Sequence, residues 1–180
     1  MNEGSINRRK SKLICAGTLF LFWVTASLPA SALGCGGKPA PDITGQTWLN
    51  SPPRQLAELR DKVVLVEFWT LGCSNCRHVE PYVKKWNEKY ASQGLVVVGV
   101  HSPEFDYEKD LGKVQDYVQE HGIRHAVVID NDFAIWNRFA NRYWPAMYLI
   151  DKTGAVCSVR VGEGGYEETE RKIRQLLADR

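Results

Sequence analysis

Cys73 and Cys76 stand two residues apart in the segment Phe68-Trp-Thr-Leu-Gly-Cys-Ser-Asn-Cys-Arg-His-Val-Glu-Pro81. Two thiols at this spacing can close a disulfide across one helical turn, and the chemistry the pair offers is exchange with a second thiol or disulfide. The two are not equivalent. If a helix begins at the first cysteine, Cys73 meets the free N–H groups and the positive dipole end that favour a thiolate, whereas Cys76 lies one turn in and is shielded. Cys73 is therefore the candidate nucleophile, and Cys76 the candidate resolving thiol that attacks the Cys73 sulfur and releases the partner as a dithiol. Zinc binding is the other common use of a CxxC pair, but structural zinc takes four ligands, and neither a second CxxC nor a His-x3-5-His pair is expected to supply the other two. His78, His101 and Cys157 could join the pair only if the fold gathered them.

Unequal cysteines require a strand, a short loop and a helix in that order. Residues 62–68 and 95–100 are short apolar runs, rich in valine, that do not alternate with polar residues. Such runs suit strands covered on both faces. Between them Val79, Val83, Trp86 and Tyr90 recur at helical spacing, so 73–90 reads as a loop turning into a helix. The pattern continues with helix 107–120, strand 126–129, helix 133–139 and strand 147–150. A polar turn at Asp151-Lys-Thr-Gly154 leads into a strand over 155–161, which predicts an antiparallel hairpin, and 167–177 forms a terminal helix. A parallel start and an antiparallel finish predict an α/β fold with a central mixed β-sheet flanked by helices on both faces.

A strand ending Phe68-Trp69, then CxxC, then a proline five residues after the second cysteine resembles the thioredoxin fold. Tyr143-Trp-Pro145 and the strand and turn that follow resemble its cis-proline strand and hairpin. Within that superfamily the chain is similar to the exported TlpA-like branch, particularly the thioredoxin-like domain of the DipZ type, over roughly residues 40–178. Ala40-Pro-Asp42, Phe68-Trp-Thr70, Val97-Val-Gly-Val-His-Ser-Pro-Glu-Phe105, Asp130-Asn-Asp132 and Asn141-Arg-Tyr-Trp-Pro145 carry the likeness. The resemblance implies a thiol-disulfide oxidoreductase that acts on protein thiols and disulfides and needs no bound cofactor or metal. It implies that the Trp144–Pro145 bond is cis and faces the dithiol, with Trp69 and Trp144 as candidates for the substrate groove. It also places Glu67 where thioredoxins keep a buried acid under the dithiol. A carboxyl desolvated there would have a raised pKa and could exchange a proton with Cys76 through water. Gly72 before Cys73, and Ser74-Asn75 between the cysteines, depart from the usual Trp and Gly-Pro, so no reduction potential carries over from a relative. The same likeness implies a reductase recharged across the membrane by a DsbD- or CcdA-like electron donor, since TlpA-like relatives commonly serve cytochrome c maturation. A disulfide-donating oxidase would use the same two cysteines.

The 180 residues are 44% hydrophobic and 24% charged, the proportions of a folded domain. Formal net charge is +2, yet Arg8, Arg9, Lys10 and Lys12 all lie in the first 34 residues, and the remainder carries 19 basic and 20 acidic side chains. A body this near neutrality lacks the clustered positive charge of a sequence-independent nucleic-acid binder. The basic cluster precedes an apolar stretch, 13–28, and then small residues, the order of an export signal. Cleavage after Ala30-Ser-Ala32, lipidation at Cys35 in Ala32-Leu-Gly-Cys35, or an uncleaved anchor are the three outcomes. Each puts everything after residue 38 outside the cytoplasm, in a periplasm or on the outer membrane face, with membrane contact only through the N-terminal segment. The expected organisation is a leader over 1–34, a Gly- and Pro-rich flexible tether over 35–45, and one thioredoxin-like domain over 46–180.

Two further classes compete. Thr70-Leu-Gly-Cys73 fits the T-x-x-C of a thiol peroxidase, but that motif has proline three residues before the threonine, where Glu67 stands. A binding module that inherited the fold would keep the dithiol locked as a structural bridge. Among other residues, Cys157 reads as a small buried core residue, and His78 and Arg77 as solvated side chains, although a cationic His78 could help hold a thiolate.

Overall fold

A computed structural model describes Met1 and residues 35–179. The leader expected over 1–34 falls outside the described residues. Among the described residues no helix is long and apolar enough to cross a membrane.

Ten main elements follow in the order β1 (Thr47–Leu49), β2 (Val63–Trp69), α1 (Ser74–Tyr90), β3 (Leu95–His101), α2 (Leu111–Glu120), β4 (Ala126–Ile129), α3 (Ala134–Arg138), β5 (Ala146–Ile150), β6 (Val156–Val161) and α4 (Tyr166–Ala178). The strands form one sheet in the order β1-β4-β3-β2-β5-β6. β2 pairs with β3, and β3 with β4, in parallel. β5 runs antiparallel to both β2 and β6, so the expected hairpin closes the sheet.

All seven residues of β2 are buried, which is why the run shows no alternation in sequence. Its side chains still alternate in space. Val64, Val66 and Phe68 pack with Val98, Val100 and Val128 against Ile135, Trp136 and Phe139 of α3 and its C-terminal end. Val63 and Leu65 face the other way, onto Val79, Val83, Trp86 and Tyr90 of α1 and Ile173 and Leu176 of α4. Burying a side chain of this size stabilises the fold by about 1.5–3 kcal/mol. Trp69, with Cys76 and Val127, packs on Val114 and Val118 of α2. The sheet is thus covered on both faces, and the first turn of α1 sits over the C-terminal end of the central strand.

Three details differ from the sequence expectation. β1 is three residues long, too short for any periodicity to show. The helix expected over 107–120 is divided: Asp106–Lys109 form a single 3-10 turn, and Asp110 caps α2 by accepting the N–H groups of Gly112 and Lys113. The segment read as a flexible tether is docked. Ile43 is fully buried, Lys38 and Ala40 exchange backbone hydrogen bonds of 2.9 Å with Val156 and Gly154, and Cys35 is disulfide-bonded to Cys157. Glycine and proline content reports local backbone freedom. It carries no information about a covalent partner 122 residues away.

Candidate active site

β2 delivers Trp69 and Thr70, both buried, to the end of the sheet, and the chain turns through Leu71 and Gly72 with the Cys73 N–H donating to the Thr70 carbonyl at 3.3 Å. α1 then starts. Its N-cap position is occupied by Cys73, whose sulfur accepts the Cys76 N–H at 3.1 Å, where a Ser or Asp oxygen would ordinarily sit. Cys73 and Cys76 are joined as a disulfide with their Cα atoms 5.3 Å apart. Cys73 is half-buried, whereas Cys76 is 4% exposed. The inequality expected from a helix start is therefore present in both dipole position and access.

The Trp144–Pro145 bond is cis. Trp144 is partly buried against the apolar cluster that contains Trp69, Cys76 and Cys73, and its indole N–H donates to the Ser102 carbonyl at 3.0 Å. Ser102 in turn donates to Asp130, whose carboxylate accepts the N–H groups of Ile135 and Trp136 at the start of α3. Trp144 is thereby tied through β3 to the opposite layer. The neighbouring Tyr143 is 59% exposed. The structure brings Cys73, Cys76, Trp69 and Trp144 into one cluster, with Pro145 at the entry to β5.

Glu67 lies under α1, in register with Gly99 and Val127 across three strands. It is 4% exposed, and burial together with the nearby Glu80 carboxylate pushes its pKa up to about 8. Gly99 is required here, because a Cβ would come within 2.8 Å of Trp69 Nε1. A small cavity is lined by Glu67, Trp69, Cys76, Glu80, Tyr117, Ile123 and His125. The space it leaves for the centre of a water, about 10 Å³, is at the lower limit for admitting one.

Side chains not singled out by the sequence complete the surroundings. Glu108 is fully buried and accepts the N–H groups of Gly72, Glu104 and Phe105. Burial raises its pKa, but those donors and the Thr70 hydroxyl outweigh it and hold the carboxyl below the ordinary range. This also accounts for Gly72, since any side chain there would collide with the Glu108 carboxylate and the Tyr107 hydroxyl. The Thr70 hydroxyl lies 3.4 Å from His101 Nε2. Contrary to the expectation that no His-x3-5-His pair accompanies the CxxC, His121 and His125 stand at a His-x3-His spacing usable by zinc. In the fold His121 Nδ1 is 2.9 Å from Glu80 Oε2, while His125 lines the cavity. Among the described residues, the group of His, Cys, Asp or Glu ligand atoms within 4.8 Å of one another is Cys35, Asp151 and Cys157, two of which are the sulfurs of one disulfide. Cys157, expected as a core residue, is half-buried in that bridge. His78 is exposed and pairs with Glu163 at 2.7 Å.

The profile described as the AhpC/TSA family matches residues 36–159. The chain is 47% identical over 149 residues to protein DipZ of Mycobacterium bovis, covering 81% of this chain but only 21% of that one. It is 34% identical over 143 residues to the thiol-disulfide oxidoreductase YkuV of Bacillus subtilis, covering 79% of this chain and 96% of that one. The solution structure of a thioredoxin-like protein in the oxidized form superposes with a TM-score of 0.71 at 33% identity, over 79% of this chain and 96% of the other.

Proposed function

From the premise that this chain belongs to the AhpC/TSA family and carries the thioredoxin fold, we infer that it is a thiol-disulfide oxidoreductase that reduces disulfides in protein partners outside the cytoplasm. The observation that carries the reading is the Cys73–Cys76 disulfide itself. One sulfur is accessible at a helix N-terminus and the other is buried behind it, in one cluster with Trp69 and Trp144 beside a cis-proline.

In the reductive direction the Cys73 thiolate attacks a partner disulfide. A Cys73–partner bond forms, and the partner's other sulfur leaves with the electron pair. Cys76 then loses its proton to Glu67 and attacks Cys73, which closes the disulfide and releases the second partner sulfur as a thiolate. Trp144 and Pro145 shape the groove in which the partner lies, whereas Trp69, expected there from the resemblance, is buried beneath the dithiol and lines the inner cavity; no cofactor enters either step. The reductase direction is supported by Glu108. A buried anion bonded to Gly72, the residue before Cys73, disfavours a thiolate there, hence the reduced form, and lowers the potential. His78 Nδ1 is 2.7 Å from Glu163 Oε2, so the imidazole is engaged there. Such a reductase must be recharged, and an electron donor of the DsbD or CcdA type in the membrane is the partner this reading requires, with cytochrome c maturation as the candidate pathway. The basic cluster 8–12 followed by an apolar stretch supports the extracytoplasmic address.

The Thr70 hydroxyl turns toward His101 and Glu108, which gives no support to a peroxidase in which that threonine serves Cys73. The deciding measurement is the equilibrium reduction potential of the Cys73–Cys76 pair across a series of defined thiol buffers. A value near that of thioredoxin, about −270 mV, supports the reductase, and one near about −120 mV reverses the assignment to disulfide donor.

A further inference from the structure

Resolution of the mixed disulfide has a geometric difficulty. While a protein partner is bonded to Cys73 it covers the groove side of the site, yet the buried Cys76 must still give up a proton that finally reaches solvent. The structure offers a way out on the opposite side. The cavity shared by Cys76 and Glu67 is walled by Glu80, Tyr117 and His125. Among the described residues Trp69 Nε1 and His125 Nδ1 have no hydrogen-bond partner though fully buried, and both residues line that cavity, which marks it as a polar space suited to water. Beyond the wall lies a surface pocket lined by Lys84, Glu88, His121, Arg124 and His125, so His125 borders both spaces.

The wall is built around one carboxylate. Glu80, four residues after Cys76 on α1, accepts Lys84 Nζ at 2.9 Å on Oε1, and on Oε2 it meets the Tyr117 hydroxyl and His121 Nδ1, each at 2.9 Å. Lys84 also donates to the His121 carbonyl at 2.6 Å, which fixes the loop that carries the imidazole. Glu80 is thus in contact with the buried cavity on one side and with a solvent-reaching histidine, one third exposed, on the other.

We propose that the proton Cys76 gives to Glu67 leaves through this wall between α1 and α2, passing by way of Glu80 to His121 and so to solvent, while the partner occupies the groove. The proposal rests on the thiol-disulfide reading above and adds two positioning residues to it. The balance is simple: the Cys76 S–H bond breaks, the proton travels outward, and the thiolate's electron pair forms the bond to Cys73. The groups facing the path are Glu67 from β2, Arg77 and Lys84 from α1, Tyr117 from α2, and Arg124 and His125 from the approach to β4. Burial raises the Glu80 pKa, but its bonds to Lys84 and Tyr117 outweigh this, so the carboxyl is ionised at rest and holds the proton only in passing between the cavity and His121.

The test uses His121→Ala and Glu80→Gln, with oxidation of the reduced protein by insulin followed in weakly buffered solution near neutral pH, with and without free imidazole. His121→Ala is expected to slow the reaction at least about tenfold, less than the roughly 100-fold or more of a group that transfers the proton at the reacting atom itself, because His121 acts one step removed, and imidazole is expected to restore it through the open pocket. Glu80→Gln is expected to slow it comparably, without restoration. If His121→Ala does not fold, as judged by its thermal melt, Glu80→Gln carries the test alone. Variants that match the parent rate, or a His121→Ala defect indifferent to imidazole, overturn the proposal. Failure of the unsubstituted protein to reduce insulin would instead overturn the functional reading beneath it.

Discussion

The Glu108 carboxylate accepts the Gly72 backbone N–H at 2.8 Å, so the residue immediately before Cys73 is held by a side chain 36 positions downstream. The same carboxylate holds Glu104 and Phe105, which makes it the joint between the cysteine loop and the loop after β3. Glu108→Ala leaves three backbone donors without their acceptor. These bonds are part-buried, and a hydrogen bond to a charged group contributes about 1.5–3 kcal/mol, so urea unfolding of the variant should show a loss of that order. An unchanged midpoint would mean the loops are held by other contacts.

Glu67 predicts two opposite pH effects. Its folded pKa of about 8 lies above the ordinary 4.5, so the folded state binds the proton more tightly. The stability this contributes is complete below about pH 4.5 and is lost as pH rises through about 8. Glu67→Gln, neutral at every pH, should therefore melt at a higher temperature than the parent at pH 9, with the gap closing toward pH 4. In the exchange reaction the same substitution should remove the step of the pH–rate profile near 8. A profile that keeps that step assigns it to another group.

The cysteine pair, the strand before it and the helix after it were legible because each is a local signal: a spacing of three, an apolar run, and a 3.6-residue recurrence at Val79, Val83, Trp86 and Tyr90. Trp144 and Pro145 were reached only through resemblance, since nothing local in a Trp-Pro dipeptide says that its bond is cis or that Trp144 packs against the cluster holding Cys76. Glu80 was readable in principle, because a residue four positions after Cys76 on a helix shares its face. Glu108 and His125 were not. Their importance comes from the parallel pairing of β3 with β2 and β4, which brings residues more than 30 positions apart to the same strand ends, and no periodicity encodes that pairing. Cys157 was misjudged for a similar reason, its partner being set by where the segment after residue 35 docks.

Two buried histidines set an acid limit. Burial holds His101 and His125 down to about 4, well below 6.5, although the Glu108 and Glu80 carboxylates respectively pull the other way. A group with a lowered folded pKa takes up more protons when unfolded, so stability falls as pH drops from about 6.5 to about 4. Thermal melts over that interval should show a decline that is shallower in His125→Phe than in the parent. Equal slopes would show that His125 does not charge on unfolding in this range.

The Cys35–Cys157 bridge makes the last prediction, and it concerns both stability and the fate of the N-terminal segment. The bond spans 122 residues and lies beside Asp151, which accepts the Cys35 N–H at 2.9 Å. That carboxylate disfavours a thiolate on either sulfur, so the bridge is a poor site for exchange and suits a staple. It pins residues 35–40 along the start of β6, the edge strand of the sheet, with Pro39 bridged to Ala155. A cross-link closing so long a loop stabilises by about 2–5 kcal/mol. Cys157→Ser should lower the unfolding free energy by that order under oxidising conditions, expose 35–45 to limited proteolysis, and leave the Cys73–Cys76 potential near the parent value. A sulfur engaged in this bond cannot also carry a lipid. Intact mass of protein purified from the membrane fraction therefore separates the two fates of Cys35: a mass two hydrogens short for each of two disulfides supports the staple, and an added diacylglyceryl mass would exclude it.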